Sequence, residues 1–212
     1  MGGRFAIRCA VIAALEVTTG GLASKAIASD IIDDWTSVKT PAAPEIKPVT
    51  ADPKTTALIM GDLMNQSCAK RPRCVAALPA MKKLLGQARA AKVAVVYSTI
   101  PNTTAADIMP EVAPAADEPS VTSGVDKFFK TNLDQILKDK GIQTIILVGT
   151  SAEGLVTYTG GEAALRGFNV VVPVDGMASV EAFAEQYVAW HMTHAPIISP
   201  KVTLTRTDMI KF

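Results

Sequence analysis

Four nearly unbroken apolar runs, TALIM (56–60), VAVVYS (93–98), TIILVG (144–149) and FNVVVPV (168–174), constrain the fold of this chain more than any other feature. A strand with one wet face alternates apolar and polar residues. These runs do not alternate, so each reads as a strand covered on both faces. Between them, apolar residues recur at helical spacing: Leu78, Met81, Leu84, Leu85 and Ala88, then Leu133, Ile136 and Leu137 before a stop at Gly141. A third helix is expected from about Gly154 to Arg166, and a fourth from an N-cap at Ser179 through Phe183, Tyr187 and Trp190. VTLT (202–205) supplies a last strand. Strands alternating with helices predict an α/β fold in three layers, α/β/α, around a mostly parallel, Rossmann-like sheet with right-handed crossovers. Such sheets bind ligands beyond the carboxyl ends of their strands. That rule selects residues 61–68, 98–130 and 149–155 as the places to look for chemistry.

The N-terminal part reads differently. Arg4 and Arg8 precede an apolar run from Cys9 to Leu15, followed by small residues up to Ala26-Ile27-Ala28, the order of a cleaved secretory signal. Residues 1–28 are therefore expected to be a signal peptide and the protein to be periplasmic or secreted. The alternative is a cytoplasmic protein with an amphipathic N-terminal helix. No apolar run approaches the roughly 20 residues that cross hydrocarbon, so no membrane attachment is expected after cleavage. Residues 29–54 contain Pro41, Pro44, Pro48 and Pro53 without sustained periodicity, and read as an extended arm ahead of one domain over 55–212. Hydrophobic residues make up 49% of the chain and charged ones 19%, enough to bury a substantial core. Cleavage after Ala28 removes three of the 21 basic and one of the 20 acidic residues, leaving 18 and 19. A chain so nearly neutral has no broad positive field to draw phosphate backbones, and nucleic acid is not expected as a partner.

Asp62 follows the first buried strand, where a carboxylate faces the crevice; the plainer reading is a cap or loop anchor for Asn65 and nearby amides. GTSAEGLV (149–156) is a strand-to-helix turn whose free N–H groups and dipole can hold an oxyanion or phosphate. Ser151, Glu153 and Gly154 would line it, although a tight crossover explains the same glycines. Leu155 and Val156 stand where a Walker loop carries Lys and Ser or Thr, and Ser151 is too far from Gly154 for G-x-S-x-G. Cys68 and Cys74, in CAKRPRC, remain once Cys9 leaves with the signal. They can pair in an oxidising compartment, or Cys68 can stay a free thiol beside basic residues. His191 and His194 sit at i, i+3 without a third histidine and read as structural or surface residues. No metal or other cofactor is expected. Ser151, Asp175 and His191 have the chain order of an α/β-hydrolase triad but lack its nucleophile turn.

TALIMGDLMNQ (56–66) resembles the first-strand signature of isochorismatase-like hydrolases, the cysteine hydrolase superfamily, in which an Asp ends the strand and an Asn follows shortly after. Residues 128–177, FFKTNL through VDGM, resemble that family's C-terminal signature, and the likeness runs from about Trp35 to Phe212. The resemblance implies a six-stranded parallel sheet, homo-oligomers, and an Asp, Lys, Cys triad acting on small amides or the vinyl ether of isochorismate. In that triad the Asp takes the thiol proton, the Lys lowers the thiol pKa, and the thiolate attacks a carbonyl held by backbone amides. Asp62 matches the family Asp. The Cys position, six residues past Gly149, falls on Leu155, which has neither lone pair nor labile proton and cannot attack a carbonyl. The Lys position falls near Thr122, several residues before Phe128; Lys127 is the nearest cation, its alternative being a snorkelling surface lysine. Thr122 and Ser123 would line the same crevice. Where the nicotinamidase branch places extra metal-binding Asp and His residues, this chain has Leu63 to Ser67.

Three functional readings follow. The first is a hydrolase of a small polar molecule, amide or vinyl ether, that forms no covalent intermediate and uses Asp62 as general acid or base. The second makes Cys68 a replacement nucleophile, unless Cys74 binds its sulfur. The third is a small-molecule binding or assembly protein that retains the fold without the reaction.

Overall fold

The structure, a computed structural model, describes residues 29–212; the expected signal over 1–28, with Cys9, lies outside the described residues. The chain divides into a unit ending at Pro41 and a second spanning Ala42–Phe212. In the first, the Asp30 carboxylate accepts the amides of Ile32 and Asp33 at 2.8 and 3.1 Å and so closes a turn.

The second unit is the α/β domain. Its strands are β1 (Val49–Thr50), β2 (Thr56–Gly61), β3 (Ala94–Thr99), β4 (Ser120–Thr122), β5 (Thr144–Thr150), β6 (Asn169–Pro173), β7 (Met177–Ala178), β8 (Val202–Thr205) and β9 (Ile210–Lys211). The helices are α1 (Pro72–Ala90), α2 (Leu133–Asp139), α3 (Thr157–Leu165) and α4 (Ala182–His194). Six strands follow the order β4-β3-β2-β5-β6-β8, all parallel, and the two-residue β7 pairs with the end of β5. The expected three-layer α/β/α fold is what forms.

Continuous apolar strands are needed because each faces two cores. Leu58 and Met60 of β2 pack with Leu78, Met81, Leu84, Leu85 and Ala88 of α1. Ala57 and Ile59, pointing the other way, pack with Leu133 and Leu137 of α2, Ala163 and Ala164 of α3, and Val188 and Met192 of α4. In β5 the run Ile145 to Val148 is fully buried. Alternate residues of one strand thus serve opposite layers.

Several expectations change. Residues 42–54 belong to the domain: Lys47 N–H donates to the Leu204 carbonyl at 2.9 Å, and β1 pairs in parallel with β9 near the C-terminus. The fourth helix is not capped by Ser179. It starts at Ala182 after an extended Glu181, and the Ser179 hydroxyl donates to Glu153 instead. Phe183, Tyr187 and Trp190 point to solvent, while Val188 and Met192 make the buried face. The third helix opens with a π-helical turn, Ala152–Val156, before α3. The short strands β1, β4, β7 and β9 have too few residues to show a period.

Candidate active site

One register assembles the site. Gly61, the last residue of β2, pairs with Ser98 of β3 on one side and Gly149 of β5 on the other. Asp62 therefore leaves the sheet between the two loops the topology favours for ligands. Its φ is +54°, in the left-handed region that Asp tolerates better than most residues. The turned backbone is held by its N–H donating to the Ser98 carbonyl at 3.1 Å and by the Ser67 hydroxyl donating to its carbonyl.

Asp62 is 5% exposed. Its Oδ1 accepts the Ser98 hydroxyl at 2.8 Å and lies 2.8 Å from Lys127 Nζ. Lys127 is fully buried, and its ammonium also donates to the carbonyls of Ser123 at 3.1 Å and Thr99 at 3.3 Å. All three ammonium protons are thus directed at oxygen. A snorkelling lysine is ruled out by this burial, and the cation belongs to Asp62. The Lys127 N–H, bonded to Thr159 Oγ1 at 3.1 Å, ties the loop to α3. Burial pushes the Asp62 carboxyl above the ordinary carboxylate range; the Lys127 charge and hydrogen bond, the Ser98 hydrogen bond and the more distant Arg71 oppose that shift without cancelling it. Arg71 reaches this corner by donating to Thr150 Oγ1 at 2.7 Å.

On the other side of Gly61 the 149–156 turn is packed with hydrocarbon. Gly149 has φ +136°, and a Cβ there would lie 2.0 Å from the Gly61 carbonyl oxygen, so only glycine fits. Leu155 is 1% exposed. Its Cδ2 sits 2.1 Å from where a Gly61 Cβ would be, so the isobutyl group lies on the backbone one residue before Asp62. The acid and the turn share one corner, with a branched hydrocarbon at the position the resemblance assigns to sulfur. Chemically, the corner can hold and exchange a proton beside a fixed cation, but it presents no thiol.

The remaining candidates scatter. Gly154 is buried in the turn and Ser151 half-buried at its start, while Glu153 is exposed and accepts the Ser179 hydroxyl. Thr122 is exposed, its hydroxyl 2.7 Å from that of Thr99. Ser123 takes part through its carbonyl, its hydroxyl being given to Phe129 O. Asn65 is exposed, with its backbone N–H on Asp107 O. Cys68 and Cys74 are joined in a disulfide across 5.3 Å between Cα atoms. The reading of Cys68 as a replacement nucleophile is thereby overturned, since a bonded sulfur has no thiolate to offer. Asp175 accepts two hydrogen bonds from Thr207, and His191 and His194 stack on Tyr187 and Trp190. Among the described residues no group of three or more His, Cys, Asp or Glu is placed to hold a metal ion, and no helix is long and apolar enough to cross a membrane.

Sequence reading missed Ser98, Thr99 and Arg71. Ser98 at the end of a buried strand was a visible signal; the Thr99 carbonyl was not, because a backbone acceptor has no letter of its own. Two clefts of about 480 and 450 Å³ open elsewhere on the domain, one bounded by Pro44, Lys47, His194 and Leu204, the other by Pro72, Arg73, Asp175 and Glu185. Neither includes Asp62, Lys127 or Leu155, which lie beneath the surface.

Residues 56–201 match the isochorismatase domain. A secreted isochorismatase effector of Verticillium dahliae is 31% identical over 146 residues, which are 62% of this chain and 77% of that protein. Among solved structures, an isochorismatase family protein of Burkholderia thailandensis has a TM-score of 0.67 at 20% identity, over 77% of this chain and 97% of the other. N-carbamoylsarcosine amidase of Thermoplasma acidophilum has 0.63 at 22% identity, over 73% and 97%. The nicotinamidase of Staphylococcus aureus has 0.64 at 16%, over 72% and 99%. With the domain match spanning both β2 and β5, the strands that carry Asp62 and the turn, this chain belongs to the isochorismatase family.

Proposed function

We propose that the protein is a hydrolase of a small polar molecule that works by proton transfer from Asp62, with no covalent intermediate. The observation that carries this reading is the buried Asp62–Lys127 pair at the sheet end. A buried ion pair adds little to stability compared with well-packed apolar residues, so a pair retained at the ligand end of an α/β sheet is better accounted for by function. Burial raises the Asp62 carboxyl above its ordinary range, which favours its protonated, proton-donating form relative to an exposed aspartate. Without a thiol, the substrate must become electrophilic once protonated. A vinyl ether does so: protonation at carbon gives an oxocarbenium ion that water attacks unaided, whereas an amide is ordinarily attacked in this family by the thiol that Leu155 does not supply. Lys127 stabilises the carboxylate left behind.

The test is turnover of isochorismate followed by product detection, in wild type and Asp62→Asn. The expected result is a loss of 10²-fold or more in kcat with the fold intact, the range for a general acid. Equal rates in both proteins refute Asp62 as the acid.

A specific observation favours a second reading, a binding or assembly protein without catalysis. Leu155 packs on Gly61, and the pair beside it is closed off from solvent. This reading expects saturable binding of isochorismate with no product after long incubation. Export is part of the proposal: the Arg4, Arg8, apolar-run and Ala-x-Ala order of residues 1–28 supports it, as does the name of the secreted Verticillium relative. Two cysteines joined as a disulfide fit an oxidising compartment.

A further inference from the structure

Arg71 is a charge at the ligand end of the sheet that the acid role of Asp62 leaves unused. It stands in the loop between β2 and α1, where Lys70 and Arg73 are exposed and Arg71 is half-buried. Local contacts set its direction. The Arg71 N–H donates to the Cys68 carbonyl at 2.9 Å, its own carbonyl accepts the Val75 N–H at 3.1 Å, and Pro72 begins α1 immediately after it. From that pinned backbone the side chain turns in over the strand ends, and Nη1 donates to Thr150 Oγ1 at 2.7 Å. Thr150 follows Gly149 on β5 as Asp62 follows Gly61 on β2, and the two glycines are paired. Neighbouring strands lie about 4.8 Å apart, so the guanidinium is tied down beside the Asp62 corner.

The charges there do not balance. Among the described residues Arg73, Arg89 and Arg166 each pair with a carboxylate, whereas Arg71 pairs with none. The charges that act on Asp62, those of Lys127 and Arg71, are both positive. Lys127 is spent on Asp62 and two carbonyls. The corner is therefore net positive whether Asp62 is ionised or protonated, and an anion is attracted in either state. Arg71 is also the member of the trio that an arriving molecule meets first, since Asp62 and Lys127 are buried. With Nη1 on Thr150, the edge made by Nε and Nη2 donates to no described residue. That edge matches a carboxylate in shape and can hold it through two charge-assisted hydrogen bonds, about twice as strong as neutral ones. A guanidinium already anchored loses less freedom when a ligand docks on it.

We propose that Arg71 sets substrate specificity: the edge of Nε and Nη2 receives a carboxylate of the substrate and holds the rest of that molecule against Asp62. This inference rests on the proton-transfer reading and narrows its substrates from small polar molecules to carboxylate-bearing vinyl ethers. Arg71 binds and orients; it exchanges no proton, because a guanidinium stays charged.

The test compares isochorismate, a dicarboxylate, with its uncharged dimethyl ester. Binding is read by calorimetry in the Asp62→Asn background, where turnover does not interfere. Arg71→Met is expected to weaken isochorismate binding on the order of 10–100-fold and to leave the weaker binding of the ester unchanged. Arg71→Lys recovers only part, because an ammonium lacks the fork. Thr150→Val removes the anchor and keeps the cation, so it costs isochorismate only a few-fold. With Asp62 in place, the Arg71→Met defect falls on KM and not on kcat. Unchanged isochorismate binding in Arg71→Met overturns the inference. So does an equal loss for acid and ester, matched by Thr150→Val, which makes Arg71 a structural tie between loop and strand. The two readings fail separately: turnover indifferent to Arg71 keeps the acid and removes the anion reader, whereas Arg71-dependent binding without turnover in wild type removes the acid and keeps the reader. Isochorismate that neither binds nor reacts overturns both.

Discussion

The corner around Asp62 and Lys127 and the turn around Leu155 meet at Gly61, yet they differ in kind. In the first, every polar contact is directional: one carboxylate oxygen takes a hydroxyl and an ammonium, and the ammonium divides its remaining protons between two carbonyls. In the second, an isobutyl group fills space against backbone, and contact is by shape alone. The carboxyl–ammonium pair thus stands beside a leucine at the position the resemblance assigns to sulfur. Charge and hydrocarbon also fail differently when removed.

Lys127→Met is expected to have the largest effect. It leaves the Asp62 carboxylate buried without its cation, a loss of about 3–5 kcal/mol, measured as a fall in urea midpoint at constant slope. The double variant Asp62→Leu, Lys127→Met is expected to recover most of that loss, since paired removal leaves no orphan charge. A double variant no more stable than Lys127→Met shows that the ion pair is not what holds the corner.

Leu155→Ala probes the other half and is expected to cost about 3 kcal/mol, the transfer and cavity terms of a fully buried leucine. Leu155→Cys costs less and places a thiol beside Asp62 and Lys127. Amidase activity gained on small primary amides, together with acyl-enzyme detected by mass spectrometry, shows that the corner can still activate sulfur; a stable, silent variant shows that the turn has lost more than one atom. The disulfide gives a milder effect. Cys68→Ala with Cys74→Ala releases a short loop and costs about 2 kcal/mol by the loop-entropy estimate, with any isochorismate turnover unchanged. A large loss of turnover at retained stability returns Cys68, or the placement of Arg71 within its loop, to the chemistry.

The two halves were unequally legible in the sequence. The layers were readable because buried strands must be apolar throughout and the helices between them must repeat, so β2, β3, β5, β6 and α1 emerge from periodicity alone. Asp62 was readable because it ends such a strand, and Leu155 stood out because the turn is recognisable around it. Lys127 was visible only as the nearest cation to a position shifted by several residues; what commits it to Asp62 is the pair of carbonyls at Thr99 and Ser123, set by loop geometry and not by residue type. Phe183, Tyr187 and Trp190 marked the fourth helix but not its buried side, because a helix with apolar residues on two faces does not say which one the domain buries.

The smallest effect settles which force governs the corner. Asp62 has its folded pKa raised above the ordinary carboxylate value by burial, against the pull of Lys127. For a raised acid, the folded state keeps its proton to higher pH than the unfolded chain does. Its contribution therefore opposes folding as pH climbs through the window between the two values, is fully unfavourable above the folded pKa, and vanishes below the unfolded one. Comparing the pH dependence of unfolding free energy in wild type and Asp62→Asn isolates this group: relative to the variant, wild type should gain stability as pH falls through that window. Activity should follow the same protonation, with kcat/KM for isochorismate declining as pH rises through a value above the usual carboxylate range. The opposite slope in the stability difference, wild type losing ground as pH falls, means that the attraction of Lys127 outweighs burial. Asp62 would then be an ionised anchor at neutral pH, and the acid role proposed for it would pass to the base role or to none.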